Sequence, residues 1–489
     1  MPRIAVTHVE YPLLSRPFTN ARNIYFSLLN PAPDHLTLAR SRIYLSRQLE
    51  AAKRVNADIP RDLEALSSWI DANTLHAGNQ YAEYLKTRKA GGPRHYFVNK
   101  SHALYFLKSV APTKLVDGAW LYGLLEHWDD GRYSDLIRIY LEELGEGVPD
   151  KNHVVIFKQL LASHGCDQWK NLSDAHYVQG AIQLSLAYHA DAFLPEAIGF
   201  NLGYEQLPLH LLISAYELNE LGIDPYYFTL HITVDNAVSG HAKKALHGLF
   251  DALPGIANRK AFFQRVINGF NLNSLGASTN SIIDDFDHRQ ELLAIFATKS
   301  IVGAQMHSDY CRVAGKSVNQ WLSDLTQIPA FLDSLEQVGW IRRHRNPEES
   351  RFWKLLQGEQ AQMFGVFNAY ERQVVYDWIA GNWVPKKSDQ LTLKRRQWQL
   401  RAQKKGTDIG QRDDAPRAIF RDHHLRTSDK GERLSDFNME LRLLEEQLAA
   451  FESRKAALTF LTTLMSPATH HTAQGLMATR IFTTLLSAP

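Results

Sequence analysis

The sequence predicts an all-helical protein, and three observations carry that expectation. Apolar residues recur at spacings of three and four over long segments, and alternating strand patterns are few. Proline and glycine punctuate these runs, with Pro60 and Pro149 at starts and Gly91-Gly92-Pro93 and Gly145 at breaks. An apolar fraction of 45%, with ten Trp, nineteen Tyr and twenty-three Phe, is ample for packed cores and argues against general disorder.

Taken in order, Arg61-Asp-Leu-Glu-Ala-Leu-Ser-Ser-Trp-Ile reads as a helix opened by Pro60, and Ser101-His-Ala-Leu-Tyr-Phe-Leu-Lys opens a second region after the Gly91–Pro93 break. Ala111 to Tyr122 reads as a turn into another helix, with Asp117 a structural cap before an extra site acid. A helix closes at Glu143, before Gly145 and Gly147. Pro149 fits the first turn of the next, which runs through Val154 to about Ser163 and sets Asp150 and His153 one turn apart. Glu205 falls in a helix-like stretch continuing through Pro208 and His210 to the Gly222-Ile-Asp-Pro225 turn, and Tyr226 to His241 follows. Gly255 to Arg259 and Gly269 to Asn280 are less regular and are expected to leave the core. A helix over Glu291 to Val302, a helical segment around Gln305 to Asp309 and a mixed stretch from Glu348 to Trp383 complete the periodic part.

The chain has 489 residues, a length that suggests about three domains, or one core with large helical extensions. The boundaries read from the sequence are 1–100, an N-terminal helical region; 101–260, a core; and 261–489, a largely helical extension with a basic segment at 386–405. That segment holds eight Lys/Arg and one acid, and is read as a solvated arm or linker; nucleic acid is an unfavoured partner because no zinc-finger spacing or aromatic binding sheet accompanies it. The formal charge of +2, from 54 basic and 52 acidic residues, says little about partners. Cys166 and Cys311 have no close-spaced partner, which argues against a disulfide scaffold or a Cys-rich zinc motif and fits a reducing compartment. With no signal-like N-terminus and no apolar run of roughly 20 residues, a cytoplasmic, non-membrane protein is expected. Gly-x-Gly-x-x-Gly and Walker loops are lacking.

The most informative chemistry is His231-Ile-Thr-Val-Asp235 within an apolar segment, because side chains four apart on a helix lie about 40° from one another and can reach one object. Such a pair can equally hydrogen-bond to itself. A second cluster, Glu143, Glu146, Asp150 and His153, raises the metal reading. Imidazole and carboxylate without thiolate suits non-haem iron or manganese, with zinc open, and argues against iron–sulfur. His307 and Asp309 share no helix face, and the doublets His423-His424 and His470-His471 point apart, so none is assigned chemistry.

Three motifs, Glu143-Leu-Gly-x-Gly-x5-His153, Leu194-Pro-Glu196-Ala-Ile-Gly-Phe-Asn-Leu-Gly-Tyr-Glu205 and His231-Ile-Thr-Val-Asp235-Asn-Ala-x-x-Gly-His241, resemble the iron-containing redox enzymes with the haem-oxygenase-like fold, also called haem-oxygenase-like di-iron oxidases and oxygenases. The resemblance covers about residues 100–260. It implies a haem-oxygenase-like helical bundle with additional helical N- and C-terminal regions, two Fe2+ between core helices, and oxidation of amino acids, fatty acids or amines with O2. Carried over residue by residue, it makes His153, His231 and Asp235 ligands and Glu143 and Glu205 the carboxylates, with Glu146, Asp150 and Glu196 as rivals. The chain departs from the family where a second His commonly follows the Asp by three residues, because Val238 stands there. His241 replaces it only if Ser239-Gly240 distorts the helix or the metal sits off-axis, which leaves the second iron the weaker expectation. The implied partners are a small substrate, O2 and an external electron donor. The alternatives are a metal-free enzyme of the same fold and a helical protein binding an acidic partner.

Overall fold

A computed structural model describes residues 20–234, 240–357, 361–363, 365–384, 439 and 442–487. It is all-α apart from one short hairpin. The chain divides into two compact units, one formed by 1–286 with 440–489 and the other by 287–439.

In the first unit, α1 (Ala21–Leu28), α2 (His35–Ala52) and α3 (Leu66–Lys89) precede α4 (Lys100–Ser109) and the one-turn α5 (Ala111–Lys114). Asn20, Asp34 and Asn99 begin α1, α2 and α4 by accepting hydrogen bonds from otherwise unpaired first-turn N–H groups. A 3-10 segment, Ala119–His127, leads to α6 (Ser134–Glu143), α7 (His153–His164), α8 (Val178–Ala187), α9 (Ala190–Tyr204), α10 (Leu209–Glu220), α11 (Tyr226–Val234), α12 (His241–Asp251), α13 (Arg259–Asn271) and α14 (Thr279–Asp284). Trp120, Tyr140, Phe157, Phe200 and Tyr227 are wholly buried among them. Glu217 of α10 is also buried, and its carboxylate accepts from Tyr84 Oη at 2.8 Å, Tyr96 N at 3.0 Å and Phe97 N at 2.9 Å. These donors offset the desolvation of its charge and fix the chain as it enters α4.

Four local expectations are corrected. Pro149–Lys151 is a separate 3-10 turn, and α7 starts at His153 because Asn152 caps it, accepting from Val155 N at 3.0 Å. Glu205 lies just past the end of α9, since Pro208 lacks an N–H and restricts the residue before it; α10 begins afresh at Leu209. The start of the Gly269 to Asn280 stretch does not leave the core: Gly269, Asn271 and Leu272 are buried, and α13 crosses α9 so closely that a Cβ at Gly199 would collide with Val266 O, and one at Gly269 with Glu196 O. The stretch 305–309 is not helical but leads into a hairpin.

The second unit holds α15 (His288–Gly303), the hairpin β1 (Arg312–Val313) and β2 (Lys316–Ser317), α16 (Val318–Leu322), α17 (Ile328–Gln337), α18 (Arg351–Leu356) and α19 (Ala369–Ala380). The strands are antiparallel, with Arg312 opposite Ser317 and Val313 opposite Lys316. His307 is structural, with Nδ1 on Gly303 O at 3.0 Å. The basic segment 386–405 and His423-His424 lie outside the described residues. In the first unit the chain ends in α20 (Arg454–Leu464) and α21 (Ala473–Ser487). No described helix is long and apolar enough to cross a membrane.

Candidate metal centre

Six ligand-type side chains from different elements converge inside the first unit. Asp117 precedes the 3-10 segment, Glu143 ends α6, His153 starts α7, Glu205 follows α9, His231 lies on α11 and His241 starts α12. All are buried, the most accessible being His231 at 6%. They form two groups, Asp117, Glu143, His153 and His231 in one and Glu143, Glu205 and His241 in the other; within each, one potential ligand atom per residue lies within 4.8 Å of every other. Glu143 belongs to both. Gly118, at φ 78°, makes this possible, since any Cβ there would press into the Glu143 side chain.

In the first group, Glu143 Oε2 lies 2.5 Å from His153 Nδ1, and Asp117 Oδ2 lies 3.0 Å from His231 Nε2 and 3.7 Å from His153 Nδ1. The His153 and His231 rings are 4.2 Å apart. His231 Nδ1 donates to Tyr227 O at 2.8 Å, one turn back, which leaves Nε2 as the nitrogen aimed at the acids. Two tyrosines hold Asp117: Tyr227 Oη donates to Oδ2 at 2.5 Å and Tyr204 Oη to Oδ1 at 2.8 Å. Lys114 Nζ donates to Tyr204 Oη at 2.8 Å and stands 3.9 Å from Asp117 Oδ1.

In the second group, His241 Nδ1 is 3.0 Å from Glu205 Oε2 and 3.3 Å from Glu143 Oε1. Its Nε2 meets Glu142 Oε2 at 2.9 Å, and Lys244 Nζ reaches both Glu142 oxygens at 2.6 Å. Gly240 is extended, so α12 starts anew at His241 and its imidazole is freed from the register of α11.

The electrostatics reflect crowded charge. Burial alone would raise the Asp117 carboxyl, but Lys114, the facing His153 imidazole and the hydrogen bond from His231 hold it well below the usual range. Burial likewise opposes charge on Glu143, and the adjacent His153 outweighs it, so this carboxyl is lowered. Glu205 is raised, because burial outweighs the pull of His241. Burial and the neighbouring charge of His153 lower His231, whereas Glu205 and the other carboxylates around His241 overcome burial and raise it. Despite this crowding, Glu143 Oε2, His153 Nδ1 and Glu205 Oε1 are buried without a well-formed hydrogen bond. Oxygens and nitrogens that converge yet do not satisfy one another fit a cation among them.

Of the residues read from the sequence, Glu143, His153, Glu205, His231 and His241 are brought together. Asp235 and Val238 lie outside the described residues. The rivals lie elsewhere: Glu196 pairs with Arg265 at 2.6 Å, Glu146 with Arg138 at 3.5 Å, and Asp150 is exposed. Asp117 is not the cap expected of an Asp-Gly pair, since its oxygens face Tyr204, Tyr227 and His231. The supporting Lys114, Glu142, Tyr204 and Tyr227 carried no sequence signal of their own.

No curated protein and no solved structure matches this chain. The family model described as iron-containing redox enzyme matches residues 104–272, a span that includes both groups of converging side chains. The all-helical fold agrees with the haem-oxygenase-like architecture of that family. The converging carboxylates and imidazoles thus sit within the stretch, residues 104–272, that matches the iron-containing redox enzyme family model.

Proposed function

We propose that this chain is a non-haem, O2-dependent oxidase or oxygenase of small organic molecules, with two adjacent iron positions joined by Glu143. The observation that supports this most is the sharing of Glu143 between two buried carboxylate–histidine groups. Asp117, Glu143, His153 and His231 would hold the first ion, and Glu143, Glu205 and His241 the second. Iron in such imidazole and carboxylate surroundings supplies activation of O2.

The chain's own groups do the rest. Tyr204 and Tyr227 orient Asp117, and the Tyr227 carbonyl fixes the His231 tautomer. Burial of every ligand keeps bulk water from the centre, which strengthens each interaction there and suppresses side reactions. Lys114, hydrogen-bonded to Tyr204 Oη and 3.9 Å from Asp117 Oδ1, balances the charge of that carboxylate. Amino acids, fatty acids and amines are the substrate classes to test, with an external electron donor where the reaction requires one.

Anaerobic loading with ferrous ion followed by metal analysis should find bound iron, and O2 consumption should accelerate when a correct small molecule is added. A protein that takes up no redox metal, yet converts a substrate without using O2, would replace this reading with a metal-free enzyme.

A further inference from the structure

The loop between Glu143 and His153 is built against the far C-terminus of the chain. Tyr140 Oη donates to Met465 O at 2.6 Å. Gly147, at φ 78°, lies so close to α21 that a Cβ there would collide with Leu476 O and Arg480 N. Between these contacts sits Asn152, whose side chain is fully engaged. Its Oδ1 accepts from Val155 N, which fixes the orientation of the amide, and its Nδ2 donates to Leu144 O at 3.1 Å and to His470 Nδ1 at 3.2 Å. One side chain therefore ties the residue after Glu143, the residue before His153 and a C-terminal histidine into a single knot. His470 is 2% exposed.

We infer that the C-terminal segment bearing α20 and α21 is a positioning element of the metal centre, with His470 acting through Asn152 to set Glu143 and His153 relative to one another. Residues 440–487 fall outside the family-matched span of 104–272 and are separated from it in sequence by the second unit, so the family match does not include this support. The acceptor role requires His470 Nδ1 to carry no proton. Burial, with the neighbouring His471 and Lys158, favours that neutral form.

The inference rests on the metal reading above, and its test separates the two. Cobalt(II) titration of full-length wild type, read by ligand-field absorption, examines the metal reading: no binding removes that reading and this inference with it. Given binding, His470→Leu should weaken the first cobalt step about tenfold, the scale of groups that orient ligands, and shift its absorption. His470→Asn, which replaces Nδ1 with an amide oxygen, should restore much of the loss. Should His470→Leu fail to fold, Asn152→Ser keeps the helix cap and removes both amide donors, and the same loss is expected. Hydrogen exchange of residues 144–156 in the metal-free protein should quicken in the folded variants. Unchanged cobalt affinity and absorption in folded His470→Leu, or in Asn152→Ser where that variant stands in, would overturn the inference.

Discussion

The two halves of the candidate metal centre share Glu143 but are held by different means. The Asp117–His153–His231 half is aimed by neutral donors and by backbone: Tyr204 and Tyr227 on Asp117, and the Tyr227 carbonyl behind His231. The His241 half is held by charge. Both nitrogens of that imidazole face carboxylates, Glu205 and Glu143 on one side and Glu142 on the other, and Lys244 balances Glu142 from the rim. Each half must lose a proton before it takes a cation: that of His153, raised by Glu143 and Asp117, in the first, and that of His241, raised by Glu205 and the neighbouring carboxylates, in the second. The first half has His231 already aimed by a backbone hydrogen bond, whereas both nitrogens of His241 must be released from acids. The difference teaches that two groups of similar composition need not bind an ion equally.

Breaking the shared residue should have the largest effect. Glu143→Gln removes charge from both halves, and ferrous binding should fall by more than about 100-fold at both steps, beyond the scale of losses in supporting residues, with the helical circular dichroism retained. Retention of either tight step would show that Glu143 does not join the halves. A smaller effect is expected of His241→Ala, which should abolish the weaker step and change the tighter one by less than about tenfold, since the two sites touch through Glu143 alone. In wild type the weaker step should decline about tenfold per pH unit on acidification, because one proton must leave for each ion bound. Two equal, tight steps that survive His241→Ala would remove His241 from the centre.

How far the sequence revealed this centre depends on how local each signal is. Helix content was legible from periodicity, as was the end of α6 at Glu143, because spacing and glycine marks act over a few residues, whereas His153 was expected one turn into a helix opened by Pro149 and instead starts α7. Asp117 was not legible. An Asp before Gly reads as a cap from its neighbours alone, and the partners that turn it inward stand 87, 110 and 114 residues away. His241 needed the extended Gly240, a conformation open to any residue, so nothing in the residue type announces it. His470 meets Asn152 across 318 residues, a separation at which periodicity carries no information. The continuous helix expected through Pro208 failed for the reverse reason: apolar spacing was weighed above a proline whose local geometry decides the matter.

The smallest effect expected is on the stability of the metal-free protein, and it sharpens the same contrast. Glu143 and Asp117 raise His153 to about 10 against the opposing influence of burial. A group raised in this way stabilises the fold fully below its unfolded value of about 6.5, and that contribution is lost as pH rises through the folded value. The chelated protein should therefore lose several degrees of Tm between pH 6.5 and 10, and His153→Gln, having no such proton, should show a shallower decline over the same window. With iron bound the His153 imidazole must already be neutral to coordinate, so the part of the slope due to this residue should vanish on loading. Differential scanning calorimetry of the chelated, iron-loaded and variant proteins across this range measures all three slopes. Parallel curves for chelated wild type and His153→Gln would show that the Glu143–His153 pair does not hold a proton in the metal-free fold, so that only the His241 half would have one to release before binding.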